Sequence, residues 1–149
     1  MKKVKTILLT AICAVICLSF AACDFAGYDD DDVIAKSSSF SSTVSVENKG
    51  LSSYSFTANK ADGVKRIKVK NHATFKVPEN PTFNLTLSLE GGRCKIVLVN
   101  KDKEVFKICE GNTVASVSMT LAAGTYDLRL VAEAAVKVKF TFQYDGYGG

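Results

Sequence analysis

The fold is decided by one stretch near the C-terminus, Val136-Lys-Val-Lys-Phe-Thr-Phe-Gln-Tyr144, in which apolar and polar side chains alternate residue by residue. Because successive side chains of a β-strand point to opposite faces, this alternation predicts a strand with one buried face and one face in water. The same period of two occurs in residues 43–46, 54–57, 67–70, 83–89, 117–121 and 126–130.

Turn-forming clusters separate these stretches, among them Asn48-Lys-Gly50, Ala61-Asp-Gly63, Gly91-Gly92 and Ala122-Ala-Gly124. The spacing predicts about nine strands, as in sandwiches and jelly rolls. No stretch after Cys23 has a convincing helical period. We therefore predict an all-β fold, an antiparallel β-sandwich of jelly-roll type, over residues 43–149.

The first 22 residues have the order of a secretory signal. Lys2, Lys3 and Lys5 precede an uncharged run that ends in small residues. The sequence Phe20-Ala-Ala-Cys23 resembles a bacterial lipobox, with Phe20 where Leu is commoner. The resemblance implies that residues 1–22 form a signal helix that is removed and that Cys23 is lipidated, which predicts an extracytoplasmic lipoprotein on the cell membrane, in the periplasm or on the cell surface. A retained membrane helix, near the short end of the roughly 17–25 residues that span a bilayer, and plain secretion are the alternatives.

Residues 23–42 are predicted to form a disordered tether. Asp24 and Asp29–Asp32 carry only negative charge, and a serine-rich stretch follows Lys36. Like charges extend a chain, and such a composition buries little apolar surface. A calcium site at Asp29–Asp32 is disfavoured because calcium loops alternate ligands with turn residues. The acidic run also resembles, loosely, a surface-export signal, whereas Asp24 directly after Cys23 resembles an inner-membrane retention signal.

Part of the chain resembles a bacterial pre-peptidase C-terminal domain. The residues that carry the resemblance are 72–80, 85–89, 96–99, 121–130 and 138–142. Its most specific piece is Ala123-Gly-Thr-Tyr126, whereas Arg93-Cys-Lys95 departs from the acidic residue usual in the family. The resemblance implies a small β-sandwich that aids binding or secretion, and it bears on fold more than on function.

One strand is basic on a single face. Arg66, Lys68 and Lys70 alternate with Ile67 and Val69, which predicts a possible patch for anionic glycans, lipid headgroups or other anionic polymers. The alternative is a solvated face or an edge that lysines protect against strand pairing. Nucleic acid is not an expected partner, because no stacking aromatics are interleaved with these charges.

Cys94 and Cys109 are predicted to form a disulfide. The segments 94–100 and 103–109 are expected to form a hairpin with Lys101 and Asp102 as a two-residue turn, and this register sets the two cysteines opposite each other. An oxidising compartment would favour the bond. Two buried free thiols, or a bulge that shifts the register, are the alternatives.

The sequence offers little for catalysis. His72 is the only histidine, no nucleophile motif accompanies it, and no spacing of His, Cys or carboxylates is typical of a metal site. We therefore expect neither a cofactor nor an enzyme. The prediction is a lipid-anchored binding module of the cell envelope or surface, for glycan or protein. The alternative is a structural or inhibitory lipoprotein that docks a partner through a sheet edge or loops.

Overall fold

Nine strands and one short helix make up the part of the chain that the structure, a computed structural model, describes: residues 25–144 and 147. The helix is α1 (Asp31–Lys36). The strands are β1 (Phe40–Thr43), β2 (Val46–Lys49), β3 (Ser53–Ile67), β4 (Phe75–Val77), β5 (Thr82–Ser88), β6 (Gly91–Asn100), β7 (Val105–Glu110), β8 (Thr113–Ser118) and β9 (Gly124–Gln143). All the strand pairs are antiparallel and belong to one open sheet, which confirms the predicted all-β class.

The 20-residue strand β9 is the axis of this sheet. On one side it pairs with β3 and then β4; on the other side it pairs with β5 and then β6. Outside these, β1 and β2 follow β3, β8 follows β5, and β7 follows β6. β9 includes the alternating stretch from which the fold was predicted, and it contributes side chains along its whole length to the core.

The sheet folds over on itself. Phe75 pairs with Tyr126, yet its ring centroid lies 6.2 Å from that of Phe142, which is further along the same strand β9. In a straight strand Tyr126 and Phe142 would be about 50 Å apart. β9 therefore bends back, and two half-sheets face each other. Half-sheet 1 contains β1, β4, β6, β7 and the adjoining parts of β3 and β9; half-sheet 2 contains β2, β5, β8 and the remaining parts of β3 and β9.

The bend passes through glycines for which the sequence predicts turns. Gly63 lies inside β3 with φ +100° at a register shift, and Gly92 lies inside β6 with φ +71° at another. Ala134, which lies in the bent part of β9, has φ +46°. The expected turns at residues 61–63 and 91–92 are therefore β-bulges within longer strands, and bulges increase bending and twist.

The core between the half-sheets is dominated by aromatic rings. Phe75, Phe83, Phe142 and Tyr147 contact one another with centroid separations of 5.6–6.2 Å, and all four are buried. The large rings bury much apolar area each, so this cluster contributes strongly to the stability of the folded sheet.

The described part of the predicted tether is ordered, contrary to the prediction. Tyr28 and Ile34 are buried, at 1% and 0% exposure, in a second cluster formed with outward-facing valines of half-sheet 1. The acidic run has local partners: Asp30 caps α1 by accepting from the Val33 amide at 3.1 Å, and Asp29 binds Arg93. Two apolar anchors and a helix cap thus offset the charge repulsion that suggested an extended chain.

The β6–β7 hairpin has a different register from the predicted one. Asn100 and Glu104 bracket a three-residue turn that ends at Lys103 with φ +67°, and a bulge near Ile108 shifts the pairing again. Cys109 consequently lies opposite Ile96 rather than opposite Cys94. The structure records both cysteines as free, buried thiols, so the predicted disulfide is not formed in it.

Candidate binding surfaces

The predicted basic patch is largely engaged within the protein. The Arg66 Nε atom lies 2.8 Å from an Asp127 carboxylate oxygen, and the Lys70 Nζ atom donates to the Tyr147 carbonyl at 2.6 Å. Lys68 is exposed between them. The structure thus places the three residues along one margin of half-sheet 1 and gives two of them internal partners.

A buried charged pair that the sequence did not reveal lies beside this margin. Asp127 and Arg129 are 5% and 3% exposed, and their side chains form two hydrogen bonds of 3.2 and 2.8 Å. Arg129 also donates to the Ile34 and Ser37 carbonyls at 2.5 and 2.8 Å. Because these carbonyls belong to the end of α1, Arg129 fixes the helix to the sheet and satisfies groups that a helix end leaves unpaired.

The N-terminal segment, residues 25–37, covers the outer face of half-sheet 1. Arg93 holds it from the exposed side with two 2.7 Å bonds to Asp29, and the guanidinium carbon lies 4.0 Å from the centroid of the Tyr28 ring. The hydrogen bond from Arg93 lowers the pKa of the Asp29 carboxyl. Burial, with Glu110 nearby, raises the pKa of Tyr28, whose hydroxyl donates to Glu110 at 3.1 Å. These contacts leave this face closed to a large ligand.

Half-sheet 2 has an outer face of a different character, over which no segment of the described chain packs. Paired residues of antiparallel strands point to the same side of a sheet, so the register defines the face directly. Most of its side chains are hydroxyls and amides. Lys139 is a charged member, and Val46, which pairs with Thr57, is an apolar member at the β2 end. We call this surface the polar face; its rows are Asn48–Ser55–Thr141–Thr86, Ser53–Gln143–Asn84–Ser116 and Thr57–Lys139–Ser88.

Hydrogen bonds between neighbouring strands order the polar face. The Thr86 and Thr141 hydroxyl oxygens lie 2.5 Å apart, and the Ser116 hydroxyl donates to the Asn84 side-chain oxygen at 2.5 Å. A further pair, Thr82 and Ser118, is 2.9 Å apart at the rim. A hydroxyl can donate once and accept twice, so each pair retains hydrogen-bonding capacity toward a ligand. Most of the side chains on this surface are uncharged, and many are ordered donors and acceptors.

A groove of about 450 Å³ lies at the bend, on the side of β1. It is lined by residues 41–43 of β1, by residues 60–62 of β3 and by Ala134, Ala135 and Val136 of β9. Asp62, at its end, accepts hydrogen bonds from the Phe25 amide at 3.1 Å and the Ala134 amide at 2.9 Å through the same oxygen. The groove is therefore adjacent to the point where the described chain begins.

Cys23 and the signal sequence lie outside the described residues, and within those residues no helix is long and apolar enough to cross a membrane. His72 is exposed in the turn after β3, where it exchanges two backbone hydrogen bonds with Val69. Over residues 25–144 and 147, no group of three or more His, Cys, Asp or Glu side chains could hold a metal ion.

Comparison of the chain with protein-family models, curated proteins and solved structures finds no match. The resemblances to a pre-peptidase C-terminal domain and to a lipobox therefore stay predictions.

Proposed function

We propose that this protein is a lipid-anchored extracytoplasmic binding module, anchored at Cys23, that recognises neutral glycan chains through the polar face. The observation that carries the proposal is the composition of that face: two rows of four hydroxyl or amide side chains each, one across β2, β3, β9 and β5 and the other across β3, β9, β5 and β8. The lipobox-like sequence supports the anchor, and the charge pattern supports the class of ligand.

Sugar hydroxyls donate and accept hydrogen bonds, as the side chains of the polar face do. Neighbouring strands are about 4.8 Å apart, so a four-strand row extends over roughly 14 Å, enough for several ligand groups to bind at once. The cross-strand pairs, such as Thr86 with Thr141, hold the side chains in place before binding. This reduces the entropy lost when a ligand docks. An anionic polymer would find Lys139 as the one cation within these rows.

The binding part of the proposal is tested with immobilised neutral glucans and mannans. The double variant Thr86→Val/Thr141→Val keeps β-branched side chains and removes two hydroxyls. At about 1 kcal/mol for each hydrogen bond, we expect binding to weaken by about tenfold or more. The matched control is Thr125→Val, an exposed threonine of β9 that lies in half-sheet 1. Failure of the wild type to bind any neutral glycan would overturn the proposal, as would unchanged binding by the double variant.

The anchor is tested separately by metabolic labelling with a fatty-acid probe. The wild type should take up label and partition into detergent, and Cys23→Ala should do neither. Equal labelling of both proteins, or of neither, would remove the anchor from the proposal while leaving glycan binding to be judged on its own data.

A further inference from the structure

We infer that the free sheet edge formed by β1 and β2 lies against the lipid headgroups of the membrane, so that the polar face projects away from the bilayer. The inference rests on the proposed lipidation of Cys23. It specifies how the folded chain sits on the membrane, which neither the anchor nor the polar face determines alone.

The chain between the anchor and the fold is short. The Phe25 amide is fixed to Asp62 at the bend, and Cys23 precedes Phe25 by two residues. Two residues span at most about 7 Å. The headgroup region of one leaflet is about 6 Å thick. Lipid chains on Cys23 that enter the hydrocarbon must therefore bring Asp62 and its neighbours close to the headgroups.

Exposed apolar side chains are concentrated at the same edge. Asp62 pairs with Ser41 of β1, and the edge continues from there through β2. In the described part of the chain, five large hydrophobic side chains are exposed; three of them, Val44, Val46 and Leu51, lie along this edge at 78%, 55% and 95% exposure. A fourth, Val136, lines the groove beside β1. Single exposed apolar residues are ordinary, but a concentration at the edge nearest the anchor indicates a lipid-facing surface.

The backbone at Val44 supports the same interpretation. Val44 has φ +46°, a region that β-branched residues rarely adopt and that Gly or Asn enters at lower cost. Its side chain is 78% exposed in the connection between β1 and β2. A strained position that carries an exposed apolar side chain is consistent with use of that side chain in binding.

Lysines flank this edge. Lys49 ends β2, and Lys60 lies opposite Thr43. The Lys49 Nζ atom lies 3.7 Å from a Glu47 carboxylate oxygen on the same strand. The exposed Lys60 side chain can extend its ammonium group to lipid phosphates while its methylene stem lies along the apolar side chains. The membrane would also cover backbone groups of β1 and β2, which pair with β3 alone among the described strands and are otherwise open to pairing with another chain.

This orientation deepens the proposed function. The strands of half-sheet 2 follow one another away from the edge in the order β2, β3, β9, β5 and β8. With β2 at the membrane, each further strand is about 4.8 Å more distant. The polar face then stands upright from the bilayer and is open to glycan chains from the side.

The test uses tryptophan as a depth reporter, because the chain contains no tryptophan of its own. Lipidated full-length protein carrying Val44→Trp or Leu51→Trp is reconstituted into vesicles of phosphatidylcholine and phosphatidylglycerol. Lipids brominated close to the headgroup end of their acyl chains quench tryptophans that lie at the boundary between headgroups and acyl chains. The matched controls are Ser116→Trp on β8 and Thr141→Trp on the polar face, and circular dichroism checks that each variant keeps its sheet.

We expect strong quenching and a blue-shifted emission at positions 44 and 51, and neither effect at positions 116 and 141. Lipid-labelled protein whose tryptophans at 44 and 51 remain unquenched would overturn the orientation and leave the anchor intact. A blue shift at position 44 without quenching would also overturn it, since the edge would then be covered by protein. Protein that takes no lipid label would overturn the orientation together with the anchor.

Discussion

At the scale of single residues, Arg129 connects the sheet to the N-terminal segment. It is buried, it shares a carboxylate oxygen of Asp127 with Arg66, and it donates to two carbonyls at the end of α1. The second Asp127 oxygen is buried without a partner in the described residues. Since a buried carboxylate is costly when its cation is removed, the stability of this corner depends on Arg129 far more than on the half-exposed Arg66.

Arg129→Met should therefore destabilise the protein by about 3 kcal/mol, because it leaves Asp127 and the helix carbonyls without their buried donor. Arg66→Met is the matched control and should cost under about 1 kcal/mol, since Asp127 keeps Arg129. Urea denaturation monitored by circular dichroism measures both. Equal losses for the two variants would show that Arg129 has no special place in this network.

The two buried thiols are also a residue-scale feature. Burial raises the pKa of Cys94 to about 12 and that of Cys109 to about 11, so both stay protonated at pH 8. A protonated, buried thiol reacts slowly. In a chain beginning at Asp24, we expect iodoacetamide to label neither cysteine in the native state and both in urea without reductant. Labelling that requires prior reduction would show that the bond predicted from the sequence forms after all.

At the scale of the elements, the bend through β3, β6 and β9 determines how the sheet closes. A Cβ atom on Gly63 would lie 2.2 Å from the Ser39 carbonyl oxygen, and one on Gly92 would lie 2.1 Å from the Ala134 carbonyl oxygen. Both glycines also have positive φ. Close approach and left-handed backbone together explain why β3 and β6 have glycine at these bulges.

Gly63→Ala should cost more than about 2 kcal/mol, since it adds a steric clash to the cost of a left-handed alanine. Gly111→Ala isolates the backbone cost, because Gly111 has φ +71° and open space around it; about 1 kcal/mol is expected. Gly91→Ala, where a Cβ would meet Val136 at an ordinary 3.7 Å, should be nearly neutral. Thermal unfolding of the three variants tests the order, and a Gly63 variant as stable as the Gly111 variant would contradict it.

The N-terminal segment should respond to acid. The hydrogen bond from Arg93 lowers the pKa of Asp29 below its value in the unfolded chain. The ionised Asp29 carboxylate therefore stabilises the docked segment fully above the ordinary aspartate pKa. That stabilisation is lost as the pH falls through the lowered pKa. Below about pH 4 we expect lower protection against hydrogen exchange, relative to the intrinsic rate at each pH, at the Ile34 and Ser37 amides, which bond within α1.

In Asp29→Asn that protection should already be lower at neutral pH and should change less in acid. Glu110, whose pKa a hydrogen bond from Lys107 lowers, titrates in the same region, and the variant separates the two groups. Asp32→Asn is the control, because Asp32 pairs with Lys36 on the helix surface at 3.5 Å. An acid response that Asp29→Asn leaves unchanged would place its origin elsewhere.

At the scale of the whole molecule, the sequence predicts most strands of the sheet well. It predicts poorly the bend that brings the two half-sheets face to face. Alternation specifies which face of β5 and of residues 138–143 of β9 is buried, because that depends on neighbouring residues alone. It fails at Asp127 and Arg129, the polar members of the 126–130 alternation, which are buried beside the N-terminal segment. The bend depends on contacts between distant backbones at Gly63 and Gly92, which look like turn glycines in the sequence. The polar positions of the alternating stretches form the polar face, but only the register of the strands shows that four strands align their hydroxyls and amides.

The N-terminal boundary of the domain gives the last prediction. The sequence places that boundary at residue 43, whereas the structure includes Tyr28 and Ile34 in a buried cluster with Val97 and Val131. Burial of a large apolar side chain contributes about 1.5–3 kcal/mol, so the two anchors together contribute roughly 4 kcal/mol. A chain beginning at residue 38 should lose about this much stability relative to a chain beginning at residue 25, and should bind a hydrophobic dye through the exposed valines. Urea denaturation of the two chains measures the difference. Equal midpoints without dye binding would show that residues 25–37 are an appendage and would restore the boundary predicted from the sequence.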